Sequence, residues 1–188
     1  MTADALIARR ERRFARMEIK MADGSGAFSG YASLFGEVDL GKDRVERGAF
    51  LRSLARRGAG GVRMLFQHDP AEPIGTWRAI REDGRGLYVE GVLSGGVSRA
   101  REVRELIKAR AVDGLLIGFQ TVRAKSDPRT GIRQILEADL WEISVVTFPM
   151  LPGARISDVK GGAGAMRLTE MGLVRAMREA ARSIRACA

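Results

Sequence analysis

The sequence predicts an α+β domain in which mostly antiparallel strands are flanked by a few helices. Three observations carry that prediction. Apolar residues recur at a period of two in short runs: Phe28, Gly30 and Ala32 alternate with Ser29, Tyr31 and Ser33, and Leu115, Ile117 and Phe119 alternate with Leu116, Gly118 and Gln120. That spacing belongs to strands with two distinct faces. Asp83-Gly84-Arg85-Gly86 separates two further runs, 75–82 and 87–94, which is a hairpin signal. Helical spacing marks Phe50, Leu51 and Leu54 ahead of Gly58 and Gly60-Gly61, and Val103, Leu106 and Ile107 after Ser98. The first helix ends on glycines, and Ser98 with nearby Glu102 is a candidate N-terminal cap of the second.

The remaining elements follow in order. Residues 4–14 suit a short helix, Arg16 to Met21 a first strand and residues 22–26 a turn. Gly36 to Asp43 reads as a charged loop forming a substrate-facing or flexible rim. Val62 to Phe66 is a strand-like run ending at His68 and closed by Pro70, and residues 126–131 are a polar turn after which Ile132 to Glu137 pairs back. Gly161 to Ala165 is a flexible linker, and Leu168 to Ile184 an amphipathic helix with Arg175, Arg178, Arg182 and Arg185 along one side. The expected organisation is therefore a basic segment at 1–15, one domain at 16–157, and a linker with a basic helix at 158–188.

Composition excludes several classes of protein. With 45% hydrophobic and 29% charged residues over 188 positions, the chain is globular. It lacks the ~20-residue apolar run of a membrane span, and its first residues lack the apolar core of a secretory signal, so a cytoplasmic origin is expected. A lone cysteine, Cys187, and a lone histidine, His68, leave no internal disulfide and no zinc-type ligand spacing, and a metal enzyme is not expected. The net charge of +9 is carried largely by the two ends and favours acidic partners. Nucleic acid is a candidate through those ends, although the 6% aromatic content offers no base-stacking platform.

The chemistry centres on two groups. Glu142 lies in the otherwise apolar run from Leu140 to Phe148, where a carboxylate needs a partner; Arg63, Arg133 and His68 are the candidates. His68 stands alone, and a lone histidine is commonly structural or exposed.

The order of motifs adds a resemblance. Gln67-His68-Asp69-Pro70 followed by Ile74-Gly75, then residues 86–91 (Gly-Leu-Tyr-Val-Glu-Gly), then 114–119 (Gly-Leu-Leu-Ile-Gly-Phe), then 140–149 (Leu-Trp-Glu-Ile-Ser-Val-Val-Thr-Phe-Pro) resemble the prohead proteases of tailed bacteriophages and of phage-derived gene transfer agents. The resemblance spans roughly Phe28 to Arg155. It implies a β-barrel wrapped by helices, like that of the herpesvirus capsid maturation proteases, with a serine nucleophile and a histidine base on neighbouring strands. His68 falls on the base and Glu142 on the residue that orients it. The nucleophile position is Leu116, where the family pattern has serine, and a leucine has neither a proton to release nor a lone pair with which to attack. Ser144 shares a face with Glu142 and is a possible substitute, but serine also stands there in the family pattern, which assigns it a role beside the nucleophile. The implied function is serine endopeptidase action inside an immature capsid in the bacterial cytoplasm. Its partners would be the major capsid protein or its scaffold segment, and the chain itself, with no cofactor and no membrane. The alternative is a non-catalytic capsid assembly factor that keeps the barrel and has lost the chemistry.

Overall fold

The computed structural model describes residues 26–160; the expected helix at 4–14, the strand at 16–21 and the helix at 168–184 lie outside them. In chain order the elements are β1 (Ala27–Leu34), β2 (Asp43–Val45), α1 (Leu51–Arg57), β3 (Arg63–Phe66), β4 (Asp69–Glu82), β5 (Gly86–Leu93), α2 (Ser98–Lys108), β6 (Gly114–Ser126), β7 (Arg133–Val146) and β8 (Ile156–Lys160). They form one curled sheet with two flanking helices among the described residues, an α+β fold of mostly antiparallel strands.

The sheet is organised by β7. It pairs antiparallel with β6 along its whole length, from Gly114 opposite Val146 to Ser126 opposite Arg133. Its other edge is divided: β2 runs parallel to residues 133–135 and β3 parallel to 142–145. The strand expected at Ile132 to Glu137 and the strand carrying Glu142 are thus one continuous element, whose ladder with β6 is interrupted by bulges in both strands, at Trp141 and Leu136 of β7 and at Val122 of β6. Between β2 and β3, the open edge of β7 meets the start of α1. Ala138 N–H donates to Ala49 C=O at 2.9 Å, and Leu140 N–H donates to the Ser53 hydroxyl at 2.9 Å. The backbone groups that a strand would have paired are satisfied by a helix, as buried polar groups must be.

From β3 the sheet continues through β4, β5 and β1 to β8. Leu115 N–H donates to Ala154 C=O and Ile156 N–H to Asp113 C=O, each at 2.8 Å, so the approach to β8 returns to β6 and draws the curl together. Arg155 pairs with Asp113 at this seam. β8 was not among the expected elements, and it continues to Lys160, past the expected domain boundary at 157.

The core lies inside the curl. Phe28, Met64, Ile74, Trp77, Leu87, Leu115 and Ile143 are all buried there, with the Phe28 and Trp77 rings edge to face at 5.6 Å. Gly91 leaves room for the indole, because a Cβ on it would lie 2.8 Å from the Trp77 ring. α2 packs on β4 and β5 through Ala100, Val103 and Ile107, whereas Leu106, expected on that face, is exposed. Nor does Ser98 cap the helix: it is the first helical residue, no side chain caps the N-terminus, and its hydroxyl accepts from Arg101.

Two predictions follow from the α1–β7 junction. Ser53→Ala leaves the Leu140 N–H buried without an acceptor and should cost about 1–3 kcal/mol in urea unfolding. Asp139, beside it, accepts from Arg57, Trp141, Ser53 and Arg56, and the Arg57 guanidinium above all holds its carboxyl far below the usual range. A depressed carboxyl stabilises the fold above its unfolded value and loses that contribution as pH falls. The difference in stability between the native chain and Asp139→Asn should therefore be full at pH 7 and shrink below about pH 4, as read by denaturant melts across that range.

Candidate active site

β3 and β4 are joined by a two-residue turn. Phe66 pairs with Asp69, and the central residues, Gln67 and His68, have φ of 54° and 61°. Positive φ at both positions is the geometry of a type I′ hairpin turn, which Asn-Gly normally fills, and non-glycine residues there carry strain. His68 is therefore a turn residue rather than the end of a strand. Three hydrogen bonds fasten the turn to β7: Gln67 N–H to Val145 C=O at 3.0 Å, Gln67 Nε2 to Thr147 Oγ1 at 2.7 Å, and His68 N–H to Ser144 Oγ at 3.1 Å. Phe66 pairs with Asp69 and Leu65 with Pro73, so residues 70–72 bulge out, and Pro70 is accommodated at an irregularity outside the β3–β4 pairing.

The turn holds the imidazole against Glu142, with His68 Nδ1 2.6 Å from Glu142 Oε1. The histidine side chain is 38% exposed and the carboxylate 15%. A carboxylate on Nδ1 fixes the tautomer and leaves Nε2 as the proton acceptor. The second carboxylate oxygen, Oε2, accepts from Ser144 Oγ at 2.7 Å. Neither candidate arginine partners Glu142: Arg63 donates to Gly60 C=O, and Arg133 makes a two-point ion pair with Asp43.

Leu116 reaches the same place from β6. Register sets Leu116 opposite Ser144 and Gly118 opposite Glu142 without a bulge between them. A Cβ on Gly118 would lie 2.2 Å from Glu142 Oε1, so the Glu142 carboxylate occupies the space that a side chain at 118 would take. By alternation, the Leu116 side chain projects to that same face. His68, Leu116 and Gly118 together line a cavity of about 410 Å³. Its walls include Ala32, Leu34, Val45, Phe119 and Leu151, and its rim carries Glu37, Asp39 and Asp43, from the loop the sequence assigned to a charged rim. Ser144, by contrast, is wholly buried.

Sequence reasoning missed two contributors. Gly118 is needed as empty space, which only its pairing partner reveals. Gln67 fastens the turn by both its backbone and its side chain, and its place beside His68 gave no sign of positive φ. No cluster of potential metal ligands occurs among the described residues.

The site is a carboxylate–histidine pair beside a cavity on a curled sheet, and comparison with known proteins gives the family. The model of the Caudovirus prohead serine proteases matches residues 13–168, and the chain belongs to that family. The prohead protease of Enterobacteria phage HK97 is 39% identical over 154 residues, 78% of this chain and 67% of that protein. The prohead protease of Escherichia phage T5 is 33% identical over 86 residues, 46% of this chain and 40% of that protein. Among solved structures, the capsid assembly protease of bacteriophage T4 aligns with a TM-score of 0.53 at 14% identity, over 64% of this chain and 80% of that one. It shares the fold. The KSHV protease aligns with a TM-score of 0.44 at 11% identity, over 69% of this chain and 63% of that one.

Gly118→Ala tests the geometry independently of activity. The added methyl should push the Glu142 carboxylate away from the ring, so the slowly exchanging Nδ1 proton of the single histidine should disappear from the proton NMR spectrum while circular dichroism remains native. An unchanged Nδ1 resonance would refute the packing described.

Proposed function

We propose that this chain works in the maturation of phage-type heads, on a serine-endopeptidase site in which His68 is the base, Glu142 orients it and position 116 is the place of the nucleophile. The observation that carries the reading is the 2.6 Å contact between His68 Nδ1 and Glu142 Oε1 on a cavity that His68 shares with Leu116. Its substrates would be the capsid protein or scaffold segments, and its place the interior of an immature capsid in the host cytoplasm. The names and family of its relatives support that assignment.

With serine at 116, Nε2 of His68 would take the hydroxyl proton as the oxygen attacks a peptide carbonyl, and would return it to the leaving amine. Glu142 would stabilise the imidazolium between those steps, and backbone N–H groups near the nucleophile would hold the oxyanion. Leucine stops this sequence at its first step. Ser144 does not replace the nucleophile: its hydroxyl faces Glu142 rather than the imidazole, and it is closed off from any peptide.

The second reading, a capsid assembly factor that retains the fold without the chemistry, is favoured by Leu116 itself. One experiment separates them. The purified chain should not cut its capsid protein at a useful rate, and Leu116→Ser should raise cleavage by at least about 10³-fold. His68→Ala should erase that gain, and Glu142→Gln should lower it less. Absence of cleavage by a folded Leu116→Ser protein would favour the assembly factor; full activity in the leucine form, abolished by Ser144→Ala, would overturn the site assignment.

A further inference from the structure

We infer that Ser144 is a positioning residue whose single hydroxyl joins the strained histidine turn to the orienting carboxylate, so that His68 and Glu142 are aligned before any substrate arrives. The inference deepens the proposed protease reading and rests on it for its kinetic consequence. Ser144 sits on β7 two residues beyond Glu142, on the same face, and is wholly buried. Its Oγ donates to Glu142 Oε2 at 2.7 Å and accepts from His68 N–H at 3.1 Å. One donor and one acceptor are used at once, in opposite directions along the site.

Each bond answers a separate problem. The two-residue turn has positive φ at Gln67 and His68, so its conformation must be imposed by surrounding contacts; the bond to His68 N–H fixes the residue that carries the imidazole. The Glu142 side chain lies over Gly118, where no side chain limits it, and a carboxylate free to rotate there would present either oxygen to Nδ1 at varying angles. The bond to Oε2 stops that rotation and commits Oε1 to the ring. Gln67 N–H, by comparison, is held by the Val145 carbonyl, a backbone contact that no side-chain substitution removes. Loss of the Ser144 hydroxyl should therefore leave the turn attached but the His68–Glu142 pair loose.

The test uses the single histidine of the full chain, whose ring nitrogens give one unambiguous spin system under ¹⁵N labelling. In the native chain the ring should be one tautomer, protonated on Nδ1. Ser144→Ala should yield a mixture of tautomers with a native circular dichroism spectrum, and Ser144→Thr, which keeps the hydroxyl, should restore the single form. Ser144→Cys, close to serine in size but a weak donor, covers the case in which either variant fails to fold, and should resemble alanine. In the Leu116→Ser background, Ser144→Ala should lower kcat on the order of 10²-fold, the scale expected for misplacement of catalytic groups, with KM within about twofold. An unaltered tautomer in both Ser144→Ala and Ser144→Cys overturns the inference, as does an unaltered kcat in an active Leu116→Ser background. Should Leu116→Ser prove inactive, the protease reading fails, while the tautomer measurement still decides the role of Ser144.

Discussion

The arrangement depends on one carboxylate, Glu142, placed at the start of the most deeply buried stretch of β7. Ile143, Ser144 and Val145 are completely inaccessible and Leu140 is equally so, yet Glu142 sits among them with both oxygens engaged, one by His68 and one by Ser144. A carboxylate in such surroundings is tolerated only when hydrogen bonds replace its lost water. Those partners come from two directions: the imidazole from the turn that follows β3, and the hydroxyl from β7 itself. A third requirement is negative, the missing side chain at Gly118 across the β6–β7 ladder. The strand, the turn and the glycine are thus mutually dependent.

The topology explains why the histidine can be where it is. β3 runs parallel to the C-terminal half of β7, so its last residue, Phe66, lies beside Val145, and the chain must reverse at once to enter β4 antiparallel. A two-residue turn is the shortest reversal available, and at this point it swings His68 back over Glu142. The turn residues are not the glycine or asparagine that the conformation prefers. Strain of that kind persists where surrounding contacts impose it and is concentrated at functional sites; here the contacts are three hydrogen bonds to 144, 145 and 147. α1 makes this geometry possible at a distance, since by completing the edge of β7 between β2 and β3 it lets one strand serve two parallel neighbours.

Much of this was legible in the chain, for reasons that differ by element. The period-two runs at 28–33 and 115–120 and the Asp-Gly turn at 83–86 announce strands and a hairpin through local chemistry, and local chemistry is what a sequence displays. Glu142 was recognisable as anomalous because charge inside an apolar run is costly, and His68 followed as its candidate partner. The division of the β7 edge between β2 and β3 was not legible, because parallel pairings between distant segments leave no local trace. β8 was hidden because its antiparallel partner, β1, lies at the other end of the described chain. The caps and faces of α2 were misjudged where propensity and spacing were close to balanced, and packing against β4 and β5 decided in favour of Ala100 over Leu106.

The remaining step concerns Leu116. On the proposed reading, a chain without a nucleophile at position 116 has no chemical use for the remaining groups of the site. Here the costly parts are assembled: a mostly enclosed carboxylate in β7, a turn with two non-glycine residues at positive φ, and a glycine emptied to admit the carboxylate. None of these is required by the hydrophobic core, which is built by other residues. Leu116 is half-buried at the edge of a cavity with apolar walls and is not part of the hydrophobic core. On the proposed reading, the groups that would activate a hydroxyl at position 116 are held by contacts that do not involve the Leu116 side chain.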